Sequence, residues 1–317
     1  MKSAIITGAT GFIGSTLVKL LIDNNIKVLA LGRKPWTEVD QKRLQPNNLL
    51  TYCRIDMNEI EMLPERVAES GWIGEDCVFY NFAWGGKSKL SDLEIEHQIN
   101  NIAWAGNALK VAKKIGCSRF VHVGTMEEAF TSKYLQLDYH KNTEYNRHVV
   151  YSVAKMGSRK LLKILAKEEG VDLMIGTNSH VMGPNDDKDS FLQVTLQKLI
   201  DGDELIFSTG EQIFDVISAY DCASAYKLIG ERGKPHQEYW IGSGEARPLK
   251  EYVKIMAKLY PSSQELQFGK FQYNDISLTL EDFSIEKLTE DTGFVPSMSY
   301  EETVHQLHNW LTKGIYS

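Results

Sequence analysis

A chain of 317 residues exceeds the usual size of one domain, which predicts a large α/β unit or a nucleotide-binding domain with a smaller appended one. Its 43% hydrophobic and 24% charged residues are those of a globular protein, and no apolar run approaches the about 18 residues of a membrane span. A net charge of −7 argues against a surface for nucleic-acid backbones.

The first half alternates short β-branched runs with longer amphipathic segments, the pattern of a doubly wound parallel sheet covered by helices on both faces. In chain order, the predicted strands are Ser3–Thr7, Lys27–Leu31, Leu50–Ile55, Cys77–Phe82, Phe120–Gly124 and Leu173–Gly176. The predicted helices are Phe12–Asn24, Asn58–Ser70, Leu93–Ile115 and Val149–Glu169, where Leu161, Leu162, Ile164 and Leu165 recur at helical spacing. After Gly183-Pro184 the elements shorten. Helices are expected at Phe191–Ile200, Asp221–Ile229, Leu249–Leu259 and Tyr300–Leu311, with extended stretches at Glu204–Ser208, Ile213–Ile217 and Tyr239–Ile241. This predicts a cofactor domain of residues 1–178 and 211–243, and a smaller α/β substrate-binding domain of residues 179–210 and 244–317.

Cys53, Cys77, Cys117 and Cys222 lack metal-site spacing and fit reduced thiols inside a cell, so no metal is expected. The apolar stretch at the N-terminus is too short for a signal peptide and runs straight into a glycine motif, so the expected location is cytoplasmic.

That motif is Thr7-Gly8-Ala9-Thr10-Gly11-Phe12-Ile13-Gly14, placed between a strand and a helix as a dinucleotide fingerprint requires. Gly8 and Gly11 permit a tight turn and close approach of a pyrophosphate to backbone N–H groups, and Gly14 permits close packing of helix on strand. The second strand ends in Gly32-Arg33-Lys34, with no acid to hold a ribose 2′-hydroxyl. Gly32 is expected to leave room for a 2′-phosphate, and Arg33 with Lys34 to pair with its charge, so the expected cofactor is NADP(H) before NAD(H); the other reading is two solvated loop cations.

Tyr151 and Lys155 stand four residues apart on one face of a predicted helix, so the ammonium would lower the pKa of the phenol and make it a usable proton shuttle. Thr125 closes a buried strand, Val121-His122-Val123-Gly124-Thr125, and would orient a reacting oxygen beside Tyr151.

Together the glycine motif written TGATGFIG, Thr125 and Tyr151-x-x-x-Lys155 resemble the extended short-chain dehydrogenase/reductases, the NAD-dependent epimerase/dehydratase family. The resemblance runs on through Gly183-Pro184, the helix start at Asp221-Cys222-Ala223 and the closing Asp291-Thr292-Gly293-Phe294-Val295-Pro296. It implies that Asp56, followed by Met57, contacts adenine, alongside a possible helix-capping role, and that Ala83 lets the end of its strand approach the cofactor. It also implies that Asn101 supports a water relay to Lys155, where the alternative is an amide on the helix surface. A homodimer through a four-helix bundle of the two long helices is expected.

The family's members are nucleotide-sugar epimerases, 4,6-dehydratases, decarboxylases and 4-ketoreductases. Glu127, in Thr125-Met126-Glu127, matches the dehydratase base, although Met126 replaces a polar residue and the pair Glu127-Glu128 is also an ordinary start for a loop or helix. Net reduction needs an exchangeable NADPH, so Gly32-Arg33 favours reduction of a keto group on a nucleotide-linked 4-keto-6-deoxy sugar, and Phe268–Tyr273 is similar to members that do this. The alternatives are an epimerase or dehydratase with a retained cofactor, and a non-catalytic NADP-binding sensor or scaffold. Phe214 stands where many members carry an arginine for the substrate diphosphate, with Arg247 as a replacement or a solvated loop residue. His180, placed with the cofactor-binding residues, and Asn185 flank Gly183-Pro184, where similar reductases keep polar substrate contacts.

Overall fold

The computed structural model describes residues 1–86, 94–134, 136, 149–186, 190–272 and 276–314, the side chain of Val149 excepted. The chain opens with β1 (Ser3–Thr7), α1 (Phe12–Asp23), β2 (Lys27–Gly32) and β3 (Leu50–Arg54). It continues through α2 (Leu63–Ser70), β4 (Cys77–Asn81), α3 (Ile95–Lys114) and β5 (Arg119–Thr125), then α4 (Glu127–Tyr134), α5 (Val149–Glu169) and β6 (Asp172–Asn178). The remainder is β7 (His180–Met182), α6 (Phe191–Asp201), β8 (Leu205–Ile206), β9 (Ile213–Phe214), β10 (Val216–Ser218), α7 (Ala219–Arg232) and β11 (Glu238–Ile241). It closes with β12 (Arg247–Pro248), α8 (Leu249–Leu259), β13 (Leu266–Gln267), α9 (Glu286–Thr292) and α10 (Tyr300–Lys313).

Seven strands form one parallel sheet in the order β3-β2-β1-β4-β5-β6-β11. Alternate side chains of each buried strand serve opposite faces. Ala4 and Ile6 of β1 join the core beneath α1, α7 and α9, whereas Ile5 joins the core beneath α2, α3 and α5. The strand order reverses between β1 and β4, the place where a doubly wound sheet opens a crevice at its carboxyl ends. Apart from β11, the strands after β6 leave the large sheet and form short pairs: β10 with β7, β12 with β9 and β13 with β8. Helices α6, α8 and α10 close over a separate core containing Leu192, Leu196, Tyr252, Val253, Met256, Val304 and Leu307.

The expected helix over Asn58–Ser70 is instead a 3-10 turn over Met57–Met62 followed by α2. Pro64 explains the break, since a proline without an N–H is tolerated in a helix's first turn but not in its interior. The expected stretch Ile213–Ile217 divides into β9 and β10 around Asp215, whose buried carboxylate accepts from Ser243 N at 3.1 Å and from its hydroxyl. Helix α4 forms where the sequence marks only an acidic start for a loop or helix, Glu127 and Glu128. The predicted α3 begins two residues early, and its Leu93 lies outside the described residues, as does Tyr273 of the Phe268–Tyr273 segment.

Candidate active site

The crevice between β1 and β4 gathers the glycine turn and the end of β4. Gly8 has φ +66°, the left-handed region that favours glycine, and any Cβ there would meet Ala83 N at 2.9 Å. A Cβ on Gly14 would collide with Gly8 O, so α1 packs on the turn only because Gly14 lacks a side chain. Gly11 N donates to Gly8 O at 2.9 Å and closes the turn. Helix α1 then starts at Phe12 and Ile13 with no side-chain cap and no acidic residue in its first turn. Backbone N–H groups left uncapped at a helix start suit a diphosphate, so these residues fit a dinucleotide cofactor.

Ala83 seals the other wall. Its N–H donates to Thr7 Oγ1 at 3.0 Å, and the Thr7 hydroxyl donates to Asn81 Oδ1 at 2.9 Å. The Asn81 amide therefore donates to His122 Nδ1 at 3.1 Å, which leaves His122 Nε2 to donate to Ser158 Oγ at 3.2 Å and Ser158 to donate to Lys155 O at 2.9 Å. This buried chain ties the glycine turn to α5. Burial, with Lys155 and Arg159 nearby, holds the His122 imidazole well below its ordinary pKa, so it is neutral.

Arg33 and Lys34 are exposed beyond β2. The expectation that Gly32 leaves room for a 2′-phosphate is corrected. A Cβ there would meet Tyr52 Oη at 2.5 Å and Thr10 Cγ2 at 3.1 Å, so the Tyr52 side chain fills that space and donates to Lys34 O at 2.7 Å. Asp56 caps the 3-10 turn that starts at Met57, accepting from Asn58 N at 3.3 Å. Arg43, which drew no notice in the sequence, donates to Thr10 O at 2.9 Å and to Asn185 O at 2.8 Å, joining the glycine turn to the turn after Gly183-Pro184.

The residues expected to react, Thr125, Tyr151 and Lys155, lie at the end of β5 and in the first turns of α5. The Thr125 hydroxyl hydrogen-bonds the Tyr151 phenol. Burial raises the Tyr151 pKa, Thr125 partly opposes this, and the carboxylates of Glu128 and Glu127 raise it further, so the phenol stays protonated. Lys155 lies on the same side of α5 as Tyr151. Its ammonium is buried, donates to Val123 O at 2.9 Å and sits 3.9 Å from the Trp84 ring centroid and 6.0 Å from that of Tyr151.

Asn101 is buried, so it is no surface amide. Its Oδ1 accepts from Gly85 N and its Nδ2 donates to Gly85 O, both at 2.8 Å, clamping the segment after β4. Glu127 is buried at the start of α4, its N–H 3.4 Å from Thr125 Oγ1. Glu128, rather than merely decorating a helix start, accepts from Thr125 N at 2.9 Å and takes a two-pronged contact from Arg159 at 2.7 and 3.0 Å. Met126 packs with Phe130, Ile276, Leu278 and Phe283. His180 opens β7 with its ring 5.3 Å from that of Phe214, outside the large sheet. Arg247 is ion-paired with Glu245 at 2.6 Å and lies over the Tyr252 ring, so its charge is already neutralised by a carboxylate.

Sequence reasoning missed Trp84, Arg43, Tyr52 and Arg159, whose partners are remote in sequence or not paired by any motif. Among the described residues, no cluster of His, Cys, Asp and Glu would hold a metal, and no helix is long and apolar enough to cross a membrane.

The chain matches the model of the NAD dependent epimerase/dehydratase family over residues 4–242. It is 25% identical to CDP-abequose synthase of Salmonella typhimurium, covering 96% of each chain. It is 22% identical to dTDP-glucose 4,6-dehydratase of Haemophilus influenzae, covering 98% of each. A trifunctional dehydratase, epimerase and reductase of Arabidopsis thaliana is 23% identical over 99% of this chain, which spans only 47% of that relative. UDP-glucose 4-epimerase of Thermotoga maritima superposes with a TM-score of 0.79 at 18% identity, over 99% of this chain and 100% of the other, a likeness of fold. With the glycine turn at the strand switch and the Thr125–Tyr151–Lys155 group beside it, the chain belongs to the NAD dependent epimerase/dehydratase family and is an NAD(P)-dependent enzyme of the extended short-chain dehydrogenase/reductase type.

Proposed function

We propose that this chain catalyses the NADPH-dependent reduction of a keto group on a nucleotide-linked 4-keto-6-deoxy sugar. The observation that carries the reading is the protonated phenol: burial and the neighbouring carboxylates raise the Tyr151 pKa. A raised pKa makes the phenol a weaker acid but keeps it in its protonated form at neutral pH, the form that reduction of a ketone draws on, whereas the initial oxidation of an alcohol would need the phenolate. A 4,6-elimination also needs a proton donor for the departing hydroxyl, and the residue between Thr125 and Glu127 is Met126, packed among apolar side chains. The full-length similarity to CDP-abequose synthase supports a reductase.

When bound along Gly8, Thr10, Gly11, Phe12, Ile13 and Gly14, the cofactor supplies the hydride. Thr125 orients the carbonyl oxygen, and Tyr151 gives it the phenolic proton, so that the C=O becomes an alcohol. Lys155 keeps a positive charge beside the reacting groups. Asp56, Met57, Ala83 and His180 complete the proposed cofactor contacts. The exposed Arg33 and Lys34 offer charge-assisted hydrogen bonds to a 2′-phosphate, the basis for NADPH over NADH.

The proposed division places residues 1–178 and 211–243 with the cofactor and residues 179–210 and 244–317 with the sugar nucleotide. A homodimer through α3 and α5 accords with the exposed Ile95 and Ile99 on one helix and Val153 and Ile164 on the other. A cytoplasmic location accords with four free cysteines.

The test follows absorbance at 340 nm with a panel of CDP-, dTDP-, GDP- and UDP-linked 4-keto-6-deoxy sugars. A reductase consumes one NADPH per alcohol formed. Conversion of a parent nucleotide sugar without NADPH consumption would replace this reading with epimerisation or, if Glu127→Gln abolishes it, dehydration.

A further inference from the structure

Trp84 brings a large aromatic side chain to the segment after β4, directly beside Ala83. Its indole N–H donates to the buried Gln98 Oε1 at 2.8 Å, and the next residue, Gly85, is held on both sides of its peptide by the Asn101 amide. Its ring meets Tyr151 edge-on, with centroids 6.2 Å apart and planes at 87°. These contacts fix the indole face, and the Lys155 ammonium lies 3.9 Å from its centroid, with Val123 O at 2.9 Å from the same nitrogen.

We infer that Trp84 is a positioning residue for Lys155: its face is a fixed electrostatic platform that holds the buried ammonium beside Tyr151. The inference rests on the reading that Lys155 and Tyr151 form the reacting pair. An ammonium at 4% exposure has lost most of its water, and an aromatic face attracts a cation most strongly when the cation is desolvated. The indole, anchored by Gln98 and by the Asn101 clamp on Gly85, offers that face at a fixed position. An aliphatic wall would fill the same space without attracting the charge.

The test uses full-length protein labelled with 13C at the lysine ε-carbon, with Lys155→Met to assign the resonance. The expected result is a Lys155 ε-methylene signal displaced upfield by the indole ring current in the unmodified sequence, lost in Trp84→Leu and partly kept in Trp84→Phe. In steady-state assays, kcat should fall about tenfold in Trp84→Leu, with a smaller fall in Trp84→Phe and substrate KM nearly unchanged in both. A Lys155 signal at the ordinary lysine position, or equal losses of kcat in the Phe and Leu variants, would overturn the inference. Should Trp84→Leu fail to fold, the signal in the unmodified sequence and the Phe variant still decide. If no keto sugar is reduced while the upfield signal is present, the proposed reaction fails and the placement of Lys155 by Trp84 stands.

Discussion

The two ends of the cofactor crevice are built differently. At the end proposed to react, Thr125, Glu128, Arg159, Lys155 and His122 are tied to one another or to nearby backbone by buried or partly buried hydrogen bonds, and Tyr151 leans on Thr125. At the other end, proposed to hold the adenosine, Arg33 and Lys34 are exposed beyond the strand end, and Tyr52 donates to the backbone oxygen of Lys34. The contrast teaches where specificity of each kind resides. On the proposed reading, chemistry demands fixed distances and therefore a rigid, desolvated constellation, whereas selection of a 2′-phosphate works through exposed cations.

The largest effect expected from this difference is at the buried end. Tyr151→Phe should lower kcat by about 10² to 10⁴, the usual contribution of a positioned general acid, while NADPH binding measured by its fluorescence is retained. Activity within a few-fold of the parent would show that the phenol is not the proton donor. At the exposed end the effect should be selective rather than total. Replacing Arg33 and Lys34 together by alanine should weaken NADPH binding by about tenfold to a hundredfold, on the scale of charge-assisted hydrogen bonds, and leave NADH binding nearly unchanged. Equal losses for both cofactors would break the assignment of these cations to the 2′-phosphate.

The smallest effect concerns stability. His122 has a depressed pKa in the folded protein, so between that value and its unfolded pKa of about 6.5 only the unfolded chain takes up the proton. Its contribution is therefore complete above the unfolded value and shrinks as pH falls below it, by about 1.4 kcal/mol per pH unit. Urea unfolding from pH 7 to pH 5 should show a slope shallower by that amount in His122→Gln. Identical slopes would mean that the buried chain from Thr7 to Lys155 does not hold His122 neutral.

The parts of this molecule that the sequence makes legible are those whose chemistry is local. A strand, three glycines and a helix specify their own turn, and the 3.6-residue period places Tyr151 and Lys155 on one face. Helix α5 spans Val149–Glu169, as its apolar spacing predicts, because Leu162 and Ala166 pack against the sheet at that period. Contacts between distant segments leave no such mark. Tyr52 closing over Gly32, Arg43 bridging Thr10 and Asn185, and Arg159 gripping Glu128 each depend on strands and loops brought together by the sheet. Glycine at position 32 thus has a reason opposite to the one its neighbours imply: it makes way for the protein's own tyrosine. Asn101 is a similar case, since its helical position identifies it while only the fold shows that its amide serves Gly85.

The central claim, that the protonated Tyr151 serves a net reduction, is tested most directly by supplying NADPH deuterated at the transferable C4 position together with a nucleotide-linked 4-keto-6-deoxy sugar. Mass spectrometry of the product should find one deuterium at the new carbinol carbon for each cofactor oxidised. A product that forms without deuterium, or with none of the added cofactor consumed, would contradict the account.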